Sequence, residues 1–187
     1  MEGTKGMLRL RPYKACDAAA IVSWIGDETA FRKWSADRFE KYPVTAEDLN
    51  GHYAQMEDSD SFYEMTAFDE GGPAGHLIMH FTDRDKTRLR FGFVIVDSSR
   101  RGRGLGREML SLAERFAFEF LGAQTVTLGV FENNPGAHRC YLAAGFRDSD
   151  EEPKAYRIAD EDWVCLEMVL TKAEWERNMK AADRGAS

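Results

Sequence analysis

The chain has 187 residues, 43% of them apolar and 30% charged, and it carries a formal net charge of −7. This composition is typical of one soluble globular domain and excludes disordered, collagen-like and coiled-coil chains, while the negative charge disfavours general binding to nucleic acid or anionic membranes. No apolar run approaches the ~18 residues of a membrane span, and the first residues lack the apolar stretch of a signal peptide, so we expect a cytoplasmic protein.

The first quarter of the chain predicts one strand and two helices. Charged and apolar side chains alternate over residues 8–11, which is typical of a short strand. Asp17 can cap a helix that carries Ile21 and Trp24 on one face. Residues 45–48, Thr-Ala-Glu-Asp, resemble a capping box with Asp in place of Glu and predict the start of a second helix.

The middle of the chain predicts three strands and a long helix. Residues 62–68 and 75–81 flank a Gly-Gly-Pro turn, and the nearly continuous apolar run over residues 89–96 is typical of a strand that is covered on both faces. Apolar residues then recur at helical spacing from 109 to 120, and Gly122 is expected to end this helix.

The remaining residues predict another strand and the closing elements. Residues 125–130 form the strand, Asn134 begins a short helix that ends near Gly145, and residues 163–170 pair antiparallel with the segment after that helix. Thr171 caps a last helix. The two strands that the long helix joins make a right-handed βαβ unit. We therefore expect an α/β (α+β) fold with a mixed sheet and helices on both faces.

A basic, glycine-rich segment precedes the long helix. The window of residues 84–107 has eight basic and two acidic residues and so a local charge of +6. Gly102, Gly104 and Gly106 permit a tight turn before a helix N-terminus, whose unpaired backbone N–H groups attract anions. A Rossmann fingerprint is excluded because Arg107 stands at its third glycine, and no Walker sequence occurs. The segment is either a phosphate-binding loop or a solvated basic loop.

Metal and disulfide sites are not expected. Cys16, Cys140 and Cys165 are odd in number and far apart, so we interpret them as free thiols. His76 and His80 are four residues apart but lie on a predicted strand, without the Glu of His-Glu-x-x-His. We therefore expect no metal.

Two motifs around the glycine-rich segment resemble the GNAT superfamily of N-acetyltransferases. The first motif, Arg101-x-x-Gly104-x-Gly106, matches the Arg/Gln-x-x-Gly-x-Gly/Ala pyrophosphate signature of that family. The second motif matches a family sequence on the helix after the next strand, and it reads Asn134-x-x-Ala137-x-x-x-Tyr141-x-x-x-Gly145-Phe146. The resemblance covers residues 7–170 as a GNAT domain and leaves residues 171–187 as a C-terminal helix and polar tail. The opening segment is most similar to the branch of ribosomal-protein N-terminal and spermidine acetyltransferases.

The resemblance implies the fold in more detail and a role for each matched residue. The sheet would be mostly antiparallel, of six to seven strands, with a splayed parallel pair that holds CoA. The backbone of Val94 and Val96 would pair with the pantetheine amides of acetyl-CoA, and Asn134 would contact the pantetheine arm. Tyr141 would protonate the leaving thiolate as general acid, although it could instead pack as an aromatic side chain. The pyrophosphate would be held by Arg101, Gly102, Arg103, Gly104, Gly106 and Arg107.

One family feature is missing from the chain. Many relatives that acetylate protein N-termini carry a general base in the sequence Leu-Glu-Val on the fifth strand, but residues 128–130 here are Leu-Gly-Val. The general base is then another residue, a residue that acts through a water molecule, or not needed at all. Glu64 and Glu132 are candidates for the general base. An amine with a pKa near ~8 is partly neutral at about pH 7.5, whereas one near ~10.4 is neutral in only about one part in a thousand. A site without a strong base therefore suits a weakly basic amine.

The resemblance implies an acetyl-CoA-dependent N-acetyltransferase that acts on a primary amine: a protein N-terminus, a polyamine or another small amine. The amine would attack directly in a ternary complex, and the protein would be a monomer or homodimer. Alternatives are a catalytically silent CoA-binding sensor or partner-binding domain, and a toxin that acetylates aminoacyl-tRNA, which the negative charge disfavours. An acidic cluster near the closing strands predicts either steering of a cationic acceptor or solvated loops: Asp148, Asp150, Glu151, Glu152, Asp160, Glu161 and Asp162.

Overall fold

One mixed β-sheet forms the centre of the computed structural model, which describes residues 7–56 and 58–185. Its strands are β1 (Arg9–Pro12), β2 (Phe62–Asp69), β3 (Gly72–Phe81), β4 (Arg88–Val96), β5 (Thr125–Phe131), β6 (Arg147–Asp148), β7 (Lys154–Ile158) and β8 (Glu161–Thr171). Their order is β1-β2-β3-β4-β5-β8-β6, with β7 also paired to β8. Only the β4–β5 pair is parallel among the described strands.

The mixed, mostly antiparallel sheet is confirmed, and its eight strands exceed the six to seven that were expected. The extra strand arises because β8 is 11 residues long and has two partners on one edge. It pairs with β7 over its first five residues and with β6 near its end, at Met168 and Val169.

Helices cover both faces of the sheet, as expected. They are α1 (Ala18–Ser23), α2 (Glu28–Ser35), α3 (Ala46–Ala54), α4 (Leu105–Arg115), α5 (Pro135–Ala144) and α6 (Lys172–Gly185), with a π-helical segment (Phe116–Phe120) that continues α4. No helix within the described ranges is long and apolar enough to cross a bilayer. Helix α2 was not predicted from the sequence. The first residues, 1–6, and the end of the expected tail, 186–187, lie outside the described residues.

The alternation of side chains along the strands builds two apolar clusters. On β3, Leu77 and Met79 face the cluster that contains α4, α5 and Trp175 of α6. Ile78 faces the other side and joins the cluster with α1 and α3, and Phe93 of β4 does the same. This period of two residues explains why β3 and β4 are apolar on both faces.

Local capping residues begin and end the helices largely as predicted. Thr45 and Asp48 form a reciprocal capping box at α3, and Thr171 caps α6 by accepting from the backbone N–H of Glu174. Asn134 caps α5, which ends at Gly145 with φ +108°. These motifs depend on neighbours within a few residues, so the sequence alone reveals them.

Asp17 does not cap α1 through its side chain, contrary to the prediction. Its buried carboxylate accepts hydrogen bonds from Arg11 at 2.7 and 2.8 Å and from the Thr66 hydroxyl at 2.9 Å. Burial by itself raises the pKa of Asp17, but these hydrogen bonds and one from the Lys14 backbone N–H outweigh it and lower the pKa. Asp17 therefore ties β1 and β2 to the start of α1.

A carboxyl group is buried in α4. Glu114 is 3% exposed, and its Oε1 atom has no hydrogen-bond partner among the described residues. Burial raises its pKa from 4.5 to about 8, against a smaller opposing effect of Arg107. Between about pH 4.5 and pH 8, the Glu114 carboxyl is therefore protonated in the folded chain but ionised in the unfolded chain. Because the folded state binds the extra proton, the free energy of unfolding falls as pH rises through this range.

We expect Glu114→Gln to raise the free energy of unfolding by about 3 kcal/mol at pH 7, because Gln is never ionised. Near pH 4.5 the gain should nearly vanish. Urea unfolding at the two pH values measures the difference, with Glu176→Gln, an exposed carboxylate on α6, as the control. An equal effect of Glu114→Gln at both pH values would contradict the buried, protonated state.

Candidate functional site

The parallel strands β4 and β5 separate partway along their length. Their pairing runs from Arg88 with Thr125 to Phe91 with Leu128 and ends there, although both strands continue. On its other side, β4 stays paired to β3 as far as Val96. A cleft therefore opens between the ends of β4 and β5, and the edge of β4 that faces it has no strand partner among the described residues.

A β-bulge accounts for this separation. Phe93 and Val94 of β4 lie opposite Leu77 alone, and Phe93 has a φ of 49°, which is rare for a bulky residue. A bulge bends the strand that carries the extra residue. Trp34 of α2 donates its indole N–H to the Phe93 carbonyl at 2.9 Å and so holds α2 against the bulge.

The cleft contains a cavity of about 870 Å³, which is within the usual range for ligand sites. Its walls are the ends of β4 and β5, the segment before α4, the start of α5 and, on the far side, α2 and the residues between α1 and α2. Nine of the ten predicted site residues line it: Val94, Val96, Arg101, Gly102, Gly104, Gly106, Arg107, Asn134 and Tyr141. The tenth, Arg103, is exposed on the same segment but does not line the cavity.

The segment before α4 lines the cleft at the N-terminus of that helix. Gly102 and Gly104 have φ values of +76° and +78°, in the left-handed region that favours glycine. No side chain caps the N-terminus of α4. Exposed Arg101 and Arg107 stand on either side, so an anion here would meet backbone donors, the positive end of the helix dipole and two guanidinium groups.

Two further features shape this end of the cleft. A Cβ atom on Gly106 would lie 3.1 Å from Sγ of Cys140, so glycine lets α4 pack closely against α5. The Arg100 guanidinium forms an ion pair with Asp69 of β2. The positive charge of Arg100 is therefore compensated, whereas Arg101 and Arg107 at this end, together with Arg139 of α5, line the cleft.

Tyr141 reaches the cleft from α5. It is 7% exposed, and its ring packs against Phe146 with centroids 6.3 Å apart. Its hydroxyl has no hydrogen-bond partner in residues 7–56 and 58–185, and burial raises the pKa of the phenol well above its usual value. Tyr141 is therefore protonated at neutral pH and has a proton to donate inside the cleft.

Asn134 begins α5, as predicted. Its side-chain oxygen accepts from the backbone N–H of Ala137 at 3.4 Å and caps α5. The amide nitrogen is chemically still a donor, at the lip of the cleft.

The far wall of the cleft comes from the helix that sequence reasoning missed. Asp27 at the start of α2, and Lys33 and Trp34 within it, line this wall, next to Trp24 at the end of α1. The signal for α2 was Asp27, whose side chain accepts from the Ala30 backbone N–H and begins the helix.

The candidate bases Glu64 and Glu132 do not line the cleft. Gly129, which does, lies directly opposite Glu167 of β8, and Glu167 forms an ion pair with Arg90 of β4. A Cβ atom on Gly129 would lie 2.9 Å from Nη2 of Arg90 and 2.8 Å from Sγ of Cys165. A side chain at position 129 would therefore require the Arg90 and Cys165 side chains to shift. Sequence reasoning missed the ion pair of Arg90 and Glu167, because only the strand register brings its members together.

The acidic cluster near the closing strands is exposed throughout and partly neutralised. Two of its seven members form ion pairs, Glu151 with Arg88 and Asp162 with Arg157, and Asp148 is hydrogen-bonded to the His138 ring. Elsewhere, the described residues contain no group of three or more His, Cys, Asp or Glu that could hold a metal ion.

Comparisons with known proteins agree with this architecture. The sequence model described as "Acetyltransferase (GNAT) family" matches residues 28–146, while no curated protein sequence matches the chain. The spermidine N-acetyltransferase from Vibrio cholerae, solved in complex with CoA and spermine, is similar in structure with a TM-score of 0.77 and 17% identity, over 90% of this chain and 98% of that one.

A chimera of the Vibrio cholerae spermidine N-acetyltransferase and hSSAT has a TM-score of 0.73 and 17% identity, over 90% of this chain and 98% of its own. At such identities these structures show a shared fold, the GNAT fold. Since the family match spans most of the chain, including the bulged β4, α4 and α5, the chain belongs to the acetyltransferase (GNAT) family and is an N-acetyltransferase.

Proposed function

We propose that the protein transfers the acetyl group of acetyl-CoA to a primary amine of a small cationic molecule, with polyamines as the first class to test. The observation that carries the proposal is the cleft between β4 and β5, which brings nine of the ten predicted site residues to one cavity. The similarity to a structure that holds CoA and spermine supports both substrates. The cytoplasmic location, the monomeric or dimeric state and the lack of nucleic-acid binding stay predictions.

The donor would lie along the free edge of β4 and end at α4. Backbone groups of Val94 and Val96 would pair with the pantetheine amides as an added strand does. The diphosphate would be bound by the N–H groups at the start of α4 and by Arg101 and Arg107. The left-handed glycines and the unpaired strand edge support this placement.

The chemistry needs a neutral amine, a stabilised oxyanion and a proton for the leaving thiolate. A backbone N–H near the bulge can stabilise the oxyanion. Tyr141 can supply the proton, because its phenol is protonated and lines the cleft. The exposed acidic cluster lies outside the cavity lining, where it would attract a cationic acceptor from solution by long-range steering.

The test is release of free thiol from acetyl-CoA with a panel of spermidine, spermine, N-terminal peptides, aminoglycosides and amino acids. We expect release with the cationic amines, and mass spectrometry should show their acetylated products. Thermal unfolding with CoA is measured in parallel, because bound CoA should raise Tm. If CoA binds but none of the amines gives thiol release, the protein is a CoA-binding domain without this activity. If CoA does not protect against heat, the donor assignment is wrong.

A further inference from the structure

The charged side chains that line the cleft are mostly basic. Among the described residues of the cavity wall, Asp27 is the one carboxylate, whereas Lys33, Arg101, Arg107 and Arg139 are cations. The three arginines lie before α4, in its first turn and in α5, on the side where the donor is proposed to lie. Lys33 lies on α2, in the far wall, so the phosphates of the donor do not account for its charge.

Helix α2 holds Lys33 against the cleft. Ala30, Lys33 and Trp34 are spaced three and four residues apart, which places them on one face of the helix, and all three line the cavity. The Trp34 indole N–H donates to the Phe93 carbonyl at 2.9 Å, and the fully buried ring of Phe31 anchors the same helix. The Lys33 ammonium is therefore carried on a fixed element rather than on a loop.

Lys33 is half-buried, and its ammonium group is not compensated. The neighbouring Arg32 pairs with Glu28 and donates to the Phe39 carbonyl at 2.8 Å. In contrast, no hydrogen bond or ion pair joins Lys33 to another residue in the described part of the chain. A charge that is partly removed from water is stabilised by an opposite charge. The wall at Lys33 therefore suits an anionic group of a bound molecule.

The other side chains of this wall suit a short apolar chain and an ammonium group. Trp24, Ile25 and Trp34 supply aromatic and aliphatic surface. Asp27 uses Oδ1 to cap α2, and a carboxylate has about four acceptor sites, so it can also accept from an ammonium group. A polyamine carries positive charges alone and would be repelled by Lys33. The wall therefore fits a molecule with both kinds of charge better.

We propose that the acceptor is an amine that also carries a carboxylate, a basic amino acid such as lysine, and that Lys33 selects it by binding this carboxylate. This inference rests on the proposed function and narrows its class of cationic amines. Asp27 binds one ammonium group of the substrate, and its other amine, when neutral, attacks the thioester. The C–N bond forms, the C–S bond breaks, and the proton that leaves the nitrogen replaces the one that Tyr141 gives to the sulfur. The products are the N-acetylated amino acid and free CoA.

The test compares lysine with cadaverine, which is lysine without its carboxylate, and ornithine with putrescine in the same way. In the wild type, kcat/KM for thiol release should be at least about tenfold higher for each amino acid than for its diamine, the order expected of a hydrogen bond to a charged group. Lys33→Gln should bring each ratio close to one, and Lys33→Glu should reverse the preference. Affinity for CoA, measured by calorimetric titration, should be unchanged in both variants.

Two further variants separate this selection from other effects. Asp27→Asn keeps a residue that can cap α2, and it should lower kcat/KM for the amino acid and its diamine alike, so the ratio stays at the wild-type value. Lys180→Gln removes an exposed lysine of α6, outside the cavity, and should change neither kcat/KM nor the ratio.

The outcomes distinguish this inference from the proposed function. If the wild type uses spermidine or the diamines at least as well as the amino acids, or if Lys33→Gln leaves the ratios unchanged, the inference is wrong while the measured activity still supports the proposed function. A tenfold loss of CoA affinity in Lys33→Gln would assign Lys33 to the donor and would also overturn it. If no amine gives thiol release, both the inference and the proposed function fail.

Discussion

Tyr141→Phe is expected to lower kcat for acetyl transfer by about 100-fold or more, with affinity for CoA within about twofold of the wild type. General acid catalysis contributes roughly 10²- to 10⁴-fold. The phenyl ring would keep its packing against Phe146, and the hydroxyl has no partner among the described residues, so the fold should be unaffected. Steady-state thiol release and calorimetric titration of CoA measure the two quantities.

Tyr156→Phe is the matched control for this change. Tyr156 packs its ring against Phe131 on β5 but does not line the cleft, so its hydroxyl should contribute nothing to kcat. If Tyr141→Phe left kcat unchanged, Tyr141 would be a packing residue, and the proton for the thiolate would have to come from solvent.

Gly106→Asp should weaken CoA binding by at least 100-fold. The side chain would place a carboxylate in the first turn of α4, where the diphosphate is proposed to bind. At about 5 Å and an effective dielectric constant near 20, each pair of like charges costs about 3 kcal/mol, and 1.4 kcal/mol corresponds to tenfold in Kd. The same carboxylate is favourable at a helix N-terminus, so α4 itself should remain stable.

Gly106→Ala is the control that separates the effect of the added charge in Gly106→Asp from the steric effect of the added side chain. Both side chains bring a Cβ atom to 3.1 Å from Sγ of Cys140, so both disturb the contact between α4 and α5 equally. The difference in Kd between Asp and Ala, measured by calorimetric titration of CoA, therefore reports the electrostatic repulsion. Equal affinities would mean that the diphosphate is not bound at the start of α4.

The parts of the fold that the sequence predicted well are those set by neighbouring residues. Thr45 with Asp48, and Asn134 with Gly145, form local hydrogen bonds or backbone turns that need no distant partner. The strand–glycine–helix–strand unit around Gly104 also follows from local patterns and from the handedness rule for parallel strands. For the same reason, most of the predicted donor-site residues, which lie on consecutive elements, line one cleft.

The parts that the sequence did not predict depend on partners far along the chain. Asp17 looked like a helix cap, but Arg11 and Thr66 bind its carboxylate from β1 and β2. Helix α2 is short, and much of what holds it in place is tertiary, such as the hydrogen bond from Trp34 to the carbonyl of Phe93. Short helices owe most of their stability to packing rather than to propensity.

By itself, the sequence determined the family, most of the order of the elements and the glycine-rich turn before α4, since each is encoded by residues within one or two turns or strands. Only the tertiary structure decided how wide β4 and β5 open, which helices wall the acceptor side and which carboxylate borders Gly129. These depend on a bulge and on strand register, and a register shift of one residue would turn Glu167 to the opposite face of the sheet.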